Sequence, residues 1–133
     1  CTGGLISAAL TDVPGSSEAV LGGIVSYANE VKRDSLGVPE EVLSTHGAVS
    51  EQTACAMAKG AREALGADIA VSVTGIAGPG GAVPGKPVGT VWIGVSCAQG
   101  TAAQLHHFEG DRDAVRAQTV EAALCVMLEK ATN

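Results

Sequence analysis

Residues 68–75, "DIAVSVTG", read as a strand that is apolar almost from end to end. A strand with one solvated face alternates apolar and polar residues, whereas a near-continuous apolar run is buried on both faces, as parallel strands tend to be. Such a strand needs helices above and below it, which restricts the chain to a layered α/β fold. Helical patterns surround it. Ser50 is an N-cap candidate for a helix that places Ala54, Met57, Ala58, Ala61 and Leu65 on one face and closes at Gly66. Helical spacing also marks 5–10, a short piece over 29–37 stopped by Gly37, and a second short turn through "EEVLSTHG". From Asp111 to the end, Val115, Thr119, Ala122, Val126 and Lys130 fall along one line of an amphipathic helix. Further strands are expected at 19–27, 89–98 and 101–110, the last two joined by a hairpin turn at Gln99-Gly100. The pattern predicts an α/β chain, a three-layer α/β/α sandwich around a mixed sheet.

At 133 residues the chain is one domain, and Tyr27, Trp92 and Phe108 are its only aromatics. Its core must therefore be built from Val, Ile, Leu and Ala, in thin layers with close backbone approach. Lys and Arg number 8 against 14 Asp and Glu, a formal charge of -6, which argues against a nucleic-acid surface but not against a small anionic ligand. The four cysteines, 1, 55, 97 and 125, show no C-x-x-C spacing and read as free, mostly buried thiols of a reducing compartment. No stretch is apolar and long enough to span a membrane, so a cytoplasmic location is expected, with no membrane partner. His106 and His107 point to opposite faces of one strand and His46 lies far off, so no metal site is assigned.

Glycine marks where a ligand could approach. "CTGGLISAAL" puts Thr2, Gly3 and Gly4 at a helix start, where free N–H groups and the helix dipole favour an anion; a tight strand-to-helix turn is the plain alternative. The loop "GIAGPGGAVPGKPVG" (75–89) offers a second glycine-rich rim at the exit of the buried strand, too long to be a mere connector. It is no dinucleotide fingerprint, because no helix follows at the required spacing. Arg112, inside "DRD", could hold a carboxylate or phosphate, or could be a solvated side chain behind an Asp N-cap. In "SYANEVK" (26–32) the only tyrosine, Tyr27, ends a strand and Lys32 follows on a short helix. A desolvated lysine can serve as a base for a hydroxyl nucleophile, although a surface lysine and a packed tyrosine are the commoner arrangement.

Six blocks together ("CTGGLISAALTDVPGSS", "GGIVSYANEVKRDSLGV", "HGAVSEQTACAMAKGA", "VSVTGIAGPGG", "KPVGTVWIGV" and "GDRDAVR") resemble the C-terminal domain of the competence/damage-inducible CinA proteins, found also as a stand-alone nicotinamide-nucleotide amidase. The resemblance runs over essentially the whole chain. It implies a three-layer α/β/α sandwich with a mixed, mostly parallel five-stranded sheet. It also implies hydrolysis of nicotinamide mononucleotide to nicotinic acid mononucleotide and ammonia, without a metal or other cofactor. By the family pattern a serine nucleophile stands immediately before Cys1, at the end of a strand lying between 19–27 and 68–75. The chain thus reads as an N-terminally incomplete domain over 1–133, inactive by itself and unstable without that strand. The matching catalytic residues are Lys32 as base and Tyr27 as proton relay or orienting group. Thr2, Gly3, Gly4, Thr74, Gly75, Ala77, Gly78 and Arg112 match the substrate and phosphate region. A homodimer, and a fused or associated CinA pyrophosphatase domain, are the partners the resemblance suggests.

Two other readings remain open at this level. Cys1 could be an N-terminal nucleophile using its own amino group as base. Alternatively, the domain could bind a nucleotide, or dimerise, without catalysing anything.

Overall fold

The computed structural model describes residues 1–132; the expected helix reaching Asn133 ends outside the described residues. Among the described residues there are five α-helices: α1 (Leu5–Thr11), α2 (Asn29–Leu36), α3 (Glu40–His46), α4 (Glu51–Leu65) and α5 (Arg112–Thr132). The strands are β1 (Ala70–Gly75), β2 (Thr90–Cys97) and β3 (Gly100–His107). Helix α4 is bounded as its ends predict. The Ser50 hydroxyl accepts from Thr53 N, and Gly66 takes the left-handed conformation that ends it. Asp111 caps α5 in the same way, its carboxylate accepting from Ala114 N at 2.9 Å.

The sheet departs from expectation. Among the described residues it has three strands in the order β1-β2-β3, both pairs antiparallel, rather than five mostly parallel ones. The β2-β3 turn is Ala98-Gln99, one residue earlier than predicted, with Gly100 already in the ladder opposite Cys97. Helices nevertheless cover both faces. Val71 and Val73 of β1 lie beside Val95 and Ile93 of β2 on the side of α5, where Val91, Ile93, Val115 and Ala123 form the buried core. The opposite face carries Ser72, Gly94 and Ser96, small enough for α4 to lie close against it. The Ser72 hydroxyl donates to the Ala54 carbonyl at 2.6 Å, and a Cβ on Gly94 would stand only 2.5 Å from that same oxygen. Behind α4, Leu36, Val38, Leu43 and Met57 make a second cluster with α2 and α3.

Residues 19–27 form no strand: Ala19 closes a turn and 20–27 have no regular secondary structure. Their β-branched, apolar character suits a sheet, yet a strand exists only when another backbone pairs with it, and none does here. Between 19–27 and the outer edge of β1 runs a groove of about 690 Å³, lined mainly by apolar side chains of α1, α4 and both segments. Leu21 and Val25 stand open, 61% and 59% exposed. The cysteines also differ from expectation: all four are free, but only Cys97 is buried and Cys125 is exposed. Among the described residues no helix is long and apolar enough to cross a membrane.

Candidate active site

Lys32 lies on the first turn of α2, whose far end is fixed by Gly37 in the left-handed conformation and by a bond from Val38 N back to the Lys32 carbonyl. The residue is only 6% exposed. Its Nζ donates to the carbonyl oxygens of Ser26 at 2.8 Å and Tyr27 at 3.3 Å. No carboxylate compensates it; among the described residues the ion pairs are those of Arg33 with Asp34 and Glu40. Burial therefore lowers the Lys32 pKa from its ordinary value. A neutral amine has two N–H donors and one lone pair. The two carbonyls occupy two of the hydrogen positions on Nζ, and the lowered pKa makes the neutral form, which carries the lone pair, easier to reach.

Lys32 lines a cavity of about 220 Å³ beside the larger groove. It brings together Tyr27, Lys32, Thr74, Gly75, Ala77 and Arg112 from the sequence-predicted set. Thr2, Gly3 and Gly4 line the larger groove instead, and Gly78 lines neither. Tyr27 is 78% exposed, so it is not a packed tyrosine, and what meets Lys32 is its carbonyl rather than its phenol. The Thr74 hydroxyl donates to the Ala48 carbonyl at 2.6 Å, joining β1 to the segment before α4. Gly75 permits close approach to β2, since a Cβ there would come within 2.6 Å of Val91 Cγ2. Arg112 donates from Nη1 to the Gly78 carbonyl at 2.8 Å, which braces the glycine-rich loop while its other N–H groups meet no acceptor among the described residues.

The turn before α1 is built as its glycines suggest. Gly3 and Gly4 have φ of 61° and 97°, and Leu5 N donates to the Thr2 carbonyl. The amides of Thr2, Gly3 and Gly4 donate to no acceptor among the described residues. Cys1 turns its thiol toward Thr119 Oγ1, 3.9 Å away, and packs against the α5 core. Sequence reasoning missed Ser26, Asn29, Ala48 and Val49 as cavity lining, and it missed Arg116. Of these, Asn29 sits within the "SYANEVK" stretch already singled out. Among the described residues no group of three His, Cys, Asp or Glu could hold a metal ion.

The model of the CinA C-terminal domain matches residues 1–131. The chain belongs to the CinA C-terminal domain family. A putative competence-damage inducible protein of Desulforudis audaxviator is 49% identical over 127 residues, covering 96% of this chain and 31% of that protein. A CinA-like protein of Mycolicibacterium gilvum is 52% identical over 93% of this chain and 30% of its own length. The chain thus spans about three tenths of the length of these curated CinA relatives. The crystal structure of the competence/damage inducible protein CihA from Agrobacterium tumefaciens superposes with a TM-score of 0.94 at 46% identity, over 97% of this chain and 79% of that one. A competence damage-inducible protein from Klebsiella pneumoniae gives 0.95 at 38% identity, over 100% of this chain and 83% of that one.

Proposed function

We propose that this domain carries the base and the ligand-holding groups of an amidohydrolase that deamidates nicotinamide mononucleotide. The observation that carries the reading is Lys32: buried, with no carboxylate partner among the described residues, and tethered to the carbonyls of Ser26 and Tyr27. Burial lowers the pKa of this amine, which favours the role of a base over that of a fixed charge.

The nucleophile in this reading is a serine hydroxyl immediately before Cys1, on a strand lying in the groove between 19–27 and β1. Lys32 takes the hydroxyl proton as the oxygen attacks the carboxamide carbon. Backbone N–H groups of the Cys1–Gly3 turn stabilise the oxyanion, an effect typically worth about 3–4 kcal/mol per donor. Collapse of the tetrahedral species breaks the C–N bond; Lys32 returns its proton to the departing nitrogen and ammonia leaves. Water then hydrolyses the acyl-enzyme to the carboxylate, with Lys32 again accepting a proton. Arg112 holds the phosphate through the N–H groups not spent on Gly78, with Thr74, Gly75 and Ala77 forming the wall of the cavity. Tyr27 fixes Lys32 through its carbonyl and presents its phenol at the mouth.

Ammonia release from nicotinamide mononucleotide by the intact protein tests this, with Lys32→Ala as the control. Release that depends on Lys32 supports the reading. Tight nucleotide binding with no ammonia would make the domain a non-catalytic binding module.

A further inference from the structure

Arg116 projects from α5 and reaches the opening turn, far from it in sequence. Its Nε donates to the Cys1 carbonyl at 3.1 Å and its Nη2 to the Thr2 carbonyl at 3.2 Å. The guanidinium fork thus spans two consecutive peptide units, a geometry that a single ammonium cannot reproduce. Arg116 is half-buried and pairs with no carboxylate among the described residues. An uncompensated cation spent wholly on main-chain oxygens is an expensive way to secure a turn.

The two carbonyls are not equally dependent on it. The Thr2 oxygen also accepts from Leu5 N, the first bond of α1, so the Thr2-Gly3 peptide is held twice. The Cys1 oxygen has no acceptor role besides the one with Arg116 among the described bonds. A trans peptide sets its N–H opposite its C=O. Drawing the Cys1 oxygen toward α5 therefore turns the Thr2 N–H away from α5. That N–H meets no protein acceptor, and Thr2 lines the groove that shares Cys1, Ser26, Tyr27 and Val73 with the smaller cavity.

We propose that Arg116 is a positioning residue that locks the Cys1-Thr2 peptide so that the Thr2 amide stays aimed as an oxyanion donor. This rests on the amidase reading above for its chemical purpose, but the locking itself is a property of the structure. The side chain touches neither substrate nor reacting atoms. It acts through one peptide plane.

Two measurements on the intact protein test it. Kinetics on nicotinamide mononucleotide should show Arg116→Met losing about 10²–10³ in kcat, the cost of one oxyanion donor, with KM nearly unchanged. Arg116→Lys should lose nearly as much, because it keeps the charge and loses the fork. Wild-type kcat in Arg116→Lys would show that charge alone matters and would overturn the proposal; so would a change confined to KM. The second measurement needs no activity: crystal structures of both variants should show the Cys1-Thr2 peptide rotated or in two orientations. An unchanged peptide plane in both would overturn the locking role whatever the kinetics say. Should the wild-type protein release no ammonia, the amidase reading falls, and the peptide geometry alone decides the role of Arg116.

Discussion

Lys32 Nζ lies 2.8 Å from the carbonyl oxygen of Ser26, six residues back along the same chain, so the buried amine is moored by the backbone that leads into its own helix. The amine and the carbonyls that hold it come from one short segment.

Replacing Lys32 by Ala in the intact protein should lower kcat for deamidation by about 10²–10⁴, the usual contribution of a positioned base. The fold should survive, because Ala is favourable in a helix. Circular dichroism and an ammonia assay on the same sample check both halves. Activity close to wild type would remove Lys32 from the mechanism.

The pH profile follows from the same group. Burial lowers the Lys32 pKa, and the base works only unprotonated. The rate should therefore rise with pH through that lowered pKa and level off above it, falling about tenfold per pH unit on the acid side. A profile flat across that limb would mean that a different group accepts the proton.

Tyr27→Phe preserves the backbone carbonyl that meets Lys32 and removes only the hydroxyl. The expected loss in kcat is less than about tenfold, smaller than the range for removing the base. A loss equal to that of Lys32→Ala would return the phenol to the proton path.

Arg112→Ala should weaken the mononucleotide far more than the unphosphorylated nucleoside. Charge-assisted hydrogen bonds are worth about 1.5–3 kcal/mol, or about tenfold or more in affinity. Titration of both ligands into wild type and variant gives the ratio directly. Equal losses would show that Arg112 serves the Gly78 loop and does not read phosphate.

Gly94→Ala tests the packing beneath the site. The new methyl group would press on the Ala54 carbonyl and on Ser72 Oγ, 2.6 Å away, so α4 must shift off the sheet. Overpacking of this kind costs about 1–3 kcal/mol, readable as a lower denaturation midpoint with an unchanged slope. No change in midpoint would mean that α4 has slack to move.

What could be read from the chain depended on how far each signal reached. Ser50 and Gly66 bracket α4 because caps act within one turn, and both were legible. The β2-β3 hairpin was legible for the same reason, though its turn fell one residue early. The 19–27 segment carries a strand's residues without a strand's partner, and no local pattern reports whether a second backbone is in place. Lys32 was singled out from its neighbourhood, while its mooring by two carbonyls required the turn of the chain at Ala28. Arg116 closes the "GDRDAVR" block, yet its role was not legible there: the oxygens it binds lie 115 and 114 residues away.

The apolar groove and the small polar cavity share Cys1, Ser26, Tyr27 and Val73 as a common wall. Any occupant of the groove therefore pushes on side chains that a ligand in the cavity also touches. Thermodynamic linkage makes that coupling reciprocal: if filling the groove raises affinity for the nucleotide by some factor, the nucleotide raises affinity for the groove's occupant by the same factor. With positive coupling, a ligand in the cavity would stabilise the domain with its groove filled, and unfolding experiments would register it as a raised midpoint.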